Sequence, residues 1–263
     1  MTRVAMAVLT LALAALAPAA EERPAALRAV GYDQRLGERV PLDLEFRDGA
    51  GATVRLGDYF GPRPVVLVPA YYQCPMLCTL VLNGLVSALR ALSFDVGREF
   101  TVVTFSFDPR ETPALAAAKK RTLLEGYRRP TADAGWHFLT GDEGSIRALT
   151  QAIGFRYAWD EAHQQFAHAS GILVLTPDGT IARYFFGVEF PPKDLRLTLV
   201  EASAHRLGSV VDALLLFCFH YDPATGRYGR VAVDAVRAGG VLTLLGLATF
   251  VVVMLRRERV ARG

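Results

Sequence analysis

Val65-Val66-Leu67-Val68-Pro69-Ala70-Tyr71-Tyr72-Gln73-Cys74-Pro75-Met76-Leu77-Cys78 runs from an unbroken apolar stretch into two cysteines four residues apart. The apolar run after Pro64 predicts a strand buried on both faces, since a strand with one wet face would alternate. Beyond it, Leu77, Val81, Leu85, Ala88 and Leu92 recur at helical spacing, so the cysteines fall where a buried strand gives way to a helix. Pro75 sharpens that junction. Proline suits the first helical position and steers its predecessor away from helical dihedrals, which predicts Cys74 as N-cap and Cys78 one turn in. Both sulfurs would then lie near unpaired N–H groups at the positive end of the helix dipole, an environment expected to lower a thiol pKa.

The pattern continues in both directions. Upstream, Leu42, Leu44 and Phe46 alternate with polar residues, and Asp48-Gly49 marks a turn before Val54 and Leu56, predicting a hairpin. Downstream, Phe100 to Phe107 reads as a strand closed by Asp108-Pro109. Thr112-Pro113 reads as an N-cap and first residue of a helix to about Gly126. Trp136 to Leu139 is a short strand and Glu143 to Ile153 a helix. The runs Gly171 to Thr176 and Ile181 to Phe186 flank the turn Pro177-Asp178-Gly179-Thr180, and a last helix starts after Pro191-Pro192 and runs to about Arg206. Strands alternating with helices predict one α/β domain over about residues 30–207, a central sheet with helices on both faces.

The two ends read differently. Residues 1–20 carry Arg3, an apolar stretch from Val4 to Leu16 broken only by Thr10, and small residues at Ala17, Ala19 and Ala20, the layout of a signal peptide. An uncleaved N-terminal anchor is the alternative, and either exports the domain behind it. Ala238 to Leu255 holds no charge, and at 1.5 Å per residue it spans roughly 27 Å, enough for a transmembrane helix. Arg256, Arg257 and Arg259 come directly after it, which predicts a cytoplasmic tail over residues 256–263 and the main domain on the outer, periplasmic side of the inner membrane. Residues 208–235 form a turn-rich connecting segment. The net charge of +3 over 263 residues is too weak and scattered for nucleic acid.

Three cysteines cannot all pair within one chain. Helical neighbours at i and i+4 stand about 5–6 Å apart at Cβ, against about 3.8 Å in a disulfide. The Cys74/Cys78 spacing therefore suits an ion, and permits a disulfide if the first turn deforms. Cys218 and His220 would share a face on a strand, so a second metal site and a buried thiol stand side by side there. Met76 is expected to pack, His137, His163 and His205 to be ordinary polar residues, and Asp108 to set a turn.

Cys74-Pro75-Met76-Leu77-Cys78 after its strand, Phe105-Ser106-Phe107-Asp108-Pro109-Arg110-Glu111-Thr112-Pro113, and His168-Ala169-Ser170 before the Gly171 to Leu175 strand resemble, in this order, the Sco/SenC family over about residues 40–205. Those proteins are copper chaperones of cytochrome oxidase assembly. Thr79 and Ala167 stand where the family usually has Pro and Asp. The resemblance implies a thioredoxin-like fold and Cys74, Cys78 and His168 as ligands of a copper ion, Cu(I) or Cu(II). It further implies, as partner, the copper-accepting subunit of a membrane oxidase. Two thiolates and an imidazole suit copper and can also take zinc, and three ligands leave a position open for transfer. The implied function is delivery of copper to the dinuclear copper site of a haem-copper oxidase, or reduction of that site's thiols. A thiol–disulfide oxidoreductase or redox sensor, with Cys74 and Cys78 as its catalytic pair, is the alternative, although thioredoxin-type motifs have two intervening residues and this one has three.

Overall fold

The computed structural model describes residues 29–74, 77–205, 221–222, 227–228, 239–241, 243–247 and 249–250. The chain enters through β1 (Gly31–Tyr32) and the hairpin β2 (Glu45–Arg47) and β3 (Thr53–Arg55), where Phe46 faces Val54. Asp48 makes the hairpin turn, its carboxylate accepting from the N–H groups of Ala50 and Ala52. A 3-10 turn leads to β4 (Val65–Ala70), α1 (Leu77–Ala91), β5 (Thr101–Ser106) and α2 (Pro113–Tyr127). Next come the short α3 (Ala132–Gly135), β6 (Trp136–Leu139) and α4 (Glu143–Ala152). Two hairpins come after it, β7 (Phe155–Asp160) with β8 (Gln165–His168) and β9 (Gly171–Leu175) with β10 (Ile181–Phe186), before α5 (Pro192–Ser203). Beyond α5, β11 (Tyr221–Asp222) pairs antiparallel with β12 (Arg227–Tyr228).

β4 is the middle strand of a five-stranded sheet of order β10-β9-β4-β5-β6, parallel to β5 and antiparallel to β9. Its apolar run is explained by this position, because both faces are covered. Val66, Val68 and Ala70 pack with Leu82 and Leu85 of α1, Leu123 of α2 and Leu195 and Leu199 of α5. Val65 and Leu67, pointing the other way, pack with Ile146 and Leu149 of α4 and with Phe46, Phe107 and Phe155. The helix starts expected from the sequence hold: Thr112 Oγ1 accepts from Leu115 N–H, and Asp142 does the same for Ser145.

Residues 155–168 carry no element expected from the sequence, and the structure places the β7–β8 hairpin there. Together with β1 it forms a separate sheet of order β1-β7-β8. Phe155, Tyr157 and Trp159 alternate as a half-buried strand should, but one of that strand's two partners, β1, comes from the start of the domain.

Residues 1–20, Cys218, His220 and the tail 256–263 lie outside the described residues, as does most of the connecting segment 208–235. Of the expected span 238–255, residues 239–241, 243–247 and 249–250 are helical, with Leu244, Leu245, Leu247 and Phe250 exposed. Among the described residues no helix is long and apolar enough to cross a membrane.

Candidate metal centre

The strand-to-helix junction and the β7–β8 hairpin converge on one point. Cys74 lies just past the end of β4, Cys78 in the first turn of α1, and His168 ends β8. Their ligand atoms all lie within 4.8 Å of one another. Cys78 Sγ is 3.1 Å from His168 Nε2, and Cys74 Sγ accepts the Cys78 backbone N–H at 3.4 Å. That last bond is the capping interaction expected of a cysteine just ahead of a helix; Pro75 and Met76 lie outside the described residues. Among the described residues this is the one group of three or more His, Cys, Asp or Glu side chains spaced to hold an ion.

The imidazole is oriented by its other nitrogen. Nδ1 lies 3.0 Å from the carbonyl oxygen of Ala169, which only accepts, so Nδ1 donates there and Nε2 faces the sulfurs. Phe107 backs the ring at 5.1 Å between centroids, and Tyr71 and Phe166 complete an aromatic wall behind it. Cys74 and His168 are half-buried, whereas Cys78 is 2% exposed. The site is thus open on one side.

One expectation needs correction. The helix N-terminus was expected to lower the thiol pKa values, but that of Cys78 is pushed well up, first by burial and then by the neighbouring Cys74. Desolvation of a thiolate outweighs the helix end here. Cys78 therefore holds its proton until a positive charge arrives beside it, and a bound metal ion supplies that charge.

The β5–α2 loop holds the cysteine side from below. Glu111 is 6% exposed, and its carboxylate accepts from the N–H groups of Tyr72 (2.9 Å) and Gln73 (2.7 Å) and from Ser106 Oγ (2.6 Å). It fixes the backbone immediately ahead of Cys74. Burial raises the Glu111 pKa while these three bonds oppose the rise. Sequence reasoning missed this role, because only the fold brings Glu111 against Tyr72 and Gln73. Asp108 does set its turn, accepting from Arg110 N–H. Lys119 of α2 donates to Thr79 Oγ1 at 3.1 Å, tying the two helices together beside the site. His137 lies on β6, His163 pairs with Asp160 and His205 with Asp178, all apart from this cluster.

A sheet whose middle strand leads to a cysteine pair, with a histidine delivered from a separate hairpin, defines a thioredoxin-like protein whose Cys-Cys-His group could hold a metal ion. The chain belongs to the SCO1/SenC family, whose profile matches residues 33–201. Two solved structures from Aquifex aeolicus VF5, assigned provisionally to electron transfer and electron transport, are similar at 25% identity. They have TM-scores of 0.59 and 0.54, covering 67% and 65% of this chain and 98% and 100% of theirs. ScoI of Arabidopsis thaliana, solved with copper bound, shares the fold at 16% identity and TM-score 0.51, covering 65% of this chain and 99% of its own. No curated protein sequence matches the chain significantly.

Proposed function

We propose that this protein is a membrane-anchored copper chaperone that carries copper on Cys74, Cys78 and His168 to the dinuclear copper site of a haem-copper cytochrome oxidase. The observation that carries the reading is the convergence of these three side chains within 4.8 Å on two separately anchored elements. The donor set fits the cargo. Soft thiolates select Cu(I), the imidazole accommodates Cu(II), and ligand atoms at these separations match an ion about 2.0–2.3 Å from each. Family membership and the copper-bound Arabidopsis relative of the same fold support copper over zinc.

Loading and release are coupled to protons. Burial keeps Cys78 protonated without metal, so binding copper expels a proton and handing copper on takes one back. Half-exposed Cys74 and His168 face the open side, where an acceptor's ligands can attack while Cys78 still holds the ion. The expected anchor over residues 238–255, with the domain on the periplasmic side of the inner membrane, keeps the carrier at high effective concentration beside a membrane-bound acceptor.

Titration of the reduced full-length protein in detergent with Cu(I), against a competing chelator, tests this. One-to-one binding is expected, abolished in Cys74→Ala and weakened at least about 10-fold in His168→Ala, since even losing a ligand's support typically costs 10–100-fold. Absence of binding, with the cysteines instead cycling readily with thiol reagents, would move the assignment to a disulfide oxidoreductase.

A further inference from the structure

His168 ends β8, and β8 is the edge strand of the small β1-β7-β8 sheet. One of three site residues is thus carried by an edge, while the cysteines sit past the end of β4 and in α1. Arg110 reaches across the gap beside the rings of Tyr71 and Phe107. Arg110 donates from Nε and Nη2 to the two carboxylate oxygens of Asp108, both at 2.8 Å, and the Asp108 side chain is only 3% exposed. So fixed, the guanidinium carbon lies 4.6 Å from the ring centre of Trp159 and 5.5 Å from that of Phe166. Those two residues are cross-strand partners on β7 and β8, and their rings touch edge to face. Phe166 lies two residues before His168, and both rings pack on Phe107.

We infer that Arg110 is a positioning residue for the metal site, clamping the β7–β8 hairpin so that His168 meets the cysteine pair. The inference rests on the reading of Cys74, Cys78 and His168 as the copper site. Adjacent residues of one loop divide the work: Glu111 holds the backbone ahead of Cys74, and Arg110 holds the hairpin that carries His168. Arginine is required because its planar fork binds the carboxylate along one edge while its face lies on the rings, and lysine provides neither. An exposed cation–π contact contributes little to global stability. Its effect is on the imidazole's distance from the sulfurs, and a merely structural contact would not produce that.

The test uses the full-length protein in detergent, comparing wild type with Arg110→Ala, Arg110→Lys, Trp159→Leu and His168→Ala. In Cu(II) titrations read by the thiolate-to-copper absorption band, the Arg110 and Trp159 variants are expected to bind about 10-fold more weakly. Their bands shift toward that of His168→Ala, and combining Arg110→Ala with Trp159→Leu adds little to either. Cu(I) affinity falls by no more than in His168→Ala, because both cysteines remain in place. Independently of metal, amide hydrogen exchange over residues 165–168 of the copper-free protein accelerates in Arg110→Ala, with the thermal midpoint near that of wild type. Wild-type affinity, band and exchange in Arg110→Ala would overturn the clamp. If the wild type bound no copper, the copper reading would fail by itself, and unchanged exchange at residues 165–168 would still refute the clamp.

Discussion

Two histidines of this chain show how surroundings set what an imidazole does. His168 is oriented by the Ala169 carbonyl and presents its Nε2 to a sulfur 3.1 Å away. His137, on β6, lies with its ring 4.2 Å from that of Tyr59, and burial, helped by the charges of Lys120 and Arg63, lowers its pKa from 6.5 to about 4. The unfolded chain therefore takes up a proton below pH 6.5 that the folded chain refuses until about pH 4. The contribution of His137 to stability is complete above that window and is lost as pH falls through it, by as much as about 3 kcal/mol. Urea midpoints of wild type and His137→Gln measured from pH 7 to pH 4 should converge as the pH drops, because the variant has no such proton to refuse. Parallel curves would show that His137 is not the titrating group. Nothing in the sequence around His137 announces this, whereas the surroundings of Cys74 and Cys78 were legible as a strand-to-helix junction.

At the scale of elements, two glycines in helices carry opposite expectations. Gly84 of α1 lies against the loop before α5, and a methyl group there would overlap the Val188 carbonyl oxygen. Gly126, near the end of α2, would place its methyl in ordinary contact with Val86 Cγ1 at 3.8 Å. Helix propensity alone favours alanine at both by up to about 1 kcal/mol. Gly126→Ala should follow propensity and stabilise by that order, while Gly84→Ala should destabilise by about 2 kcal/mol or more, since backbone must move. Thermal or urea denaturation of the two variants distinguishes them, and a stabilised Gly84→Ala would contradict the packing of α1 on that loop. The same contrast between local and remote causes explains why the β7–β8 hairpin escapes sequence reasoning. The long helices and central strands announce themselves through local periodicity and caps such as Thr112. β7 instead pairs with β1 from the start of the domain, and its alternating aromatics gain meaning only beside Tyr71 and Phe107.

At the scale of the whole molecule, the folded domain and the apolar C-terminal segment are expected to act separately, one carrying copper and the other holding it at the membrane. A chain truncated after Ala235 should move from the carbonate-resistant membrane fraction to the soluble fraction while keeping one-to-one Cu(I) binding. A truncated protein still in the membrane fraction would remove the C-terminal anchor from the picture. One that loses copper binding would make the segment part of the site.

The amino-acid sequence by itself determined the order of the central-sheet strands and the long helices, the burial of Val65–Ala70 and the placing of two cysteines where that strand meets a helix. These are consequences of hydrophobic spacing, proline geometry and capping, all local to the chain. The tertiary structure alone decided that Cys78 is desolvated and keeps its proton, that Gly84 admits no side chain, and that Glu111 and Arg110 hold the two halves of the site. It also brought the hairpin bearing His168 up to the cysteines, a place for which the sequence offered only a family resemblance. Each of these depends on groups remote in sequence entering the same low-dielectric space, where desolvation and close packing outweigh what neighbouring residues alone would dictate.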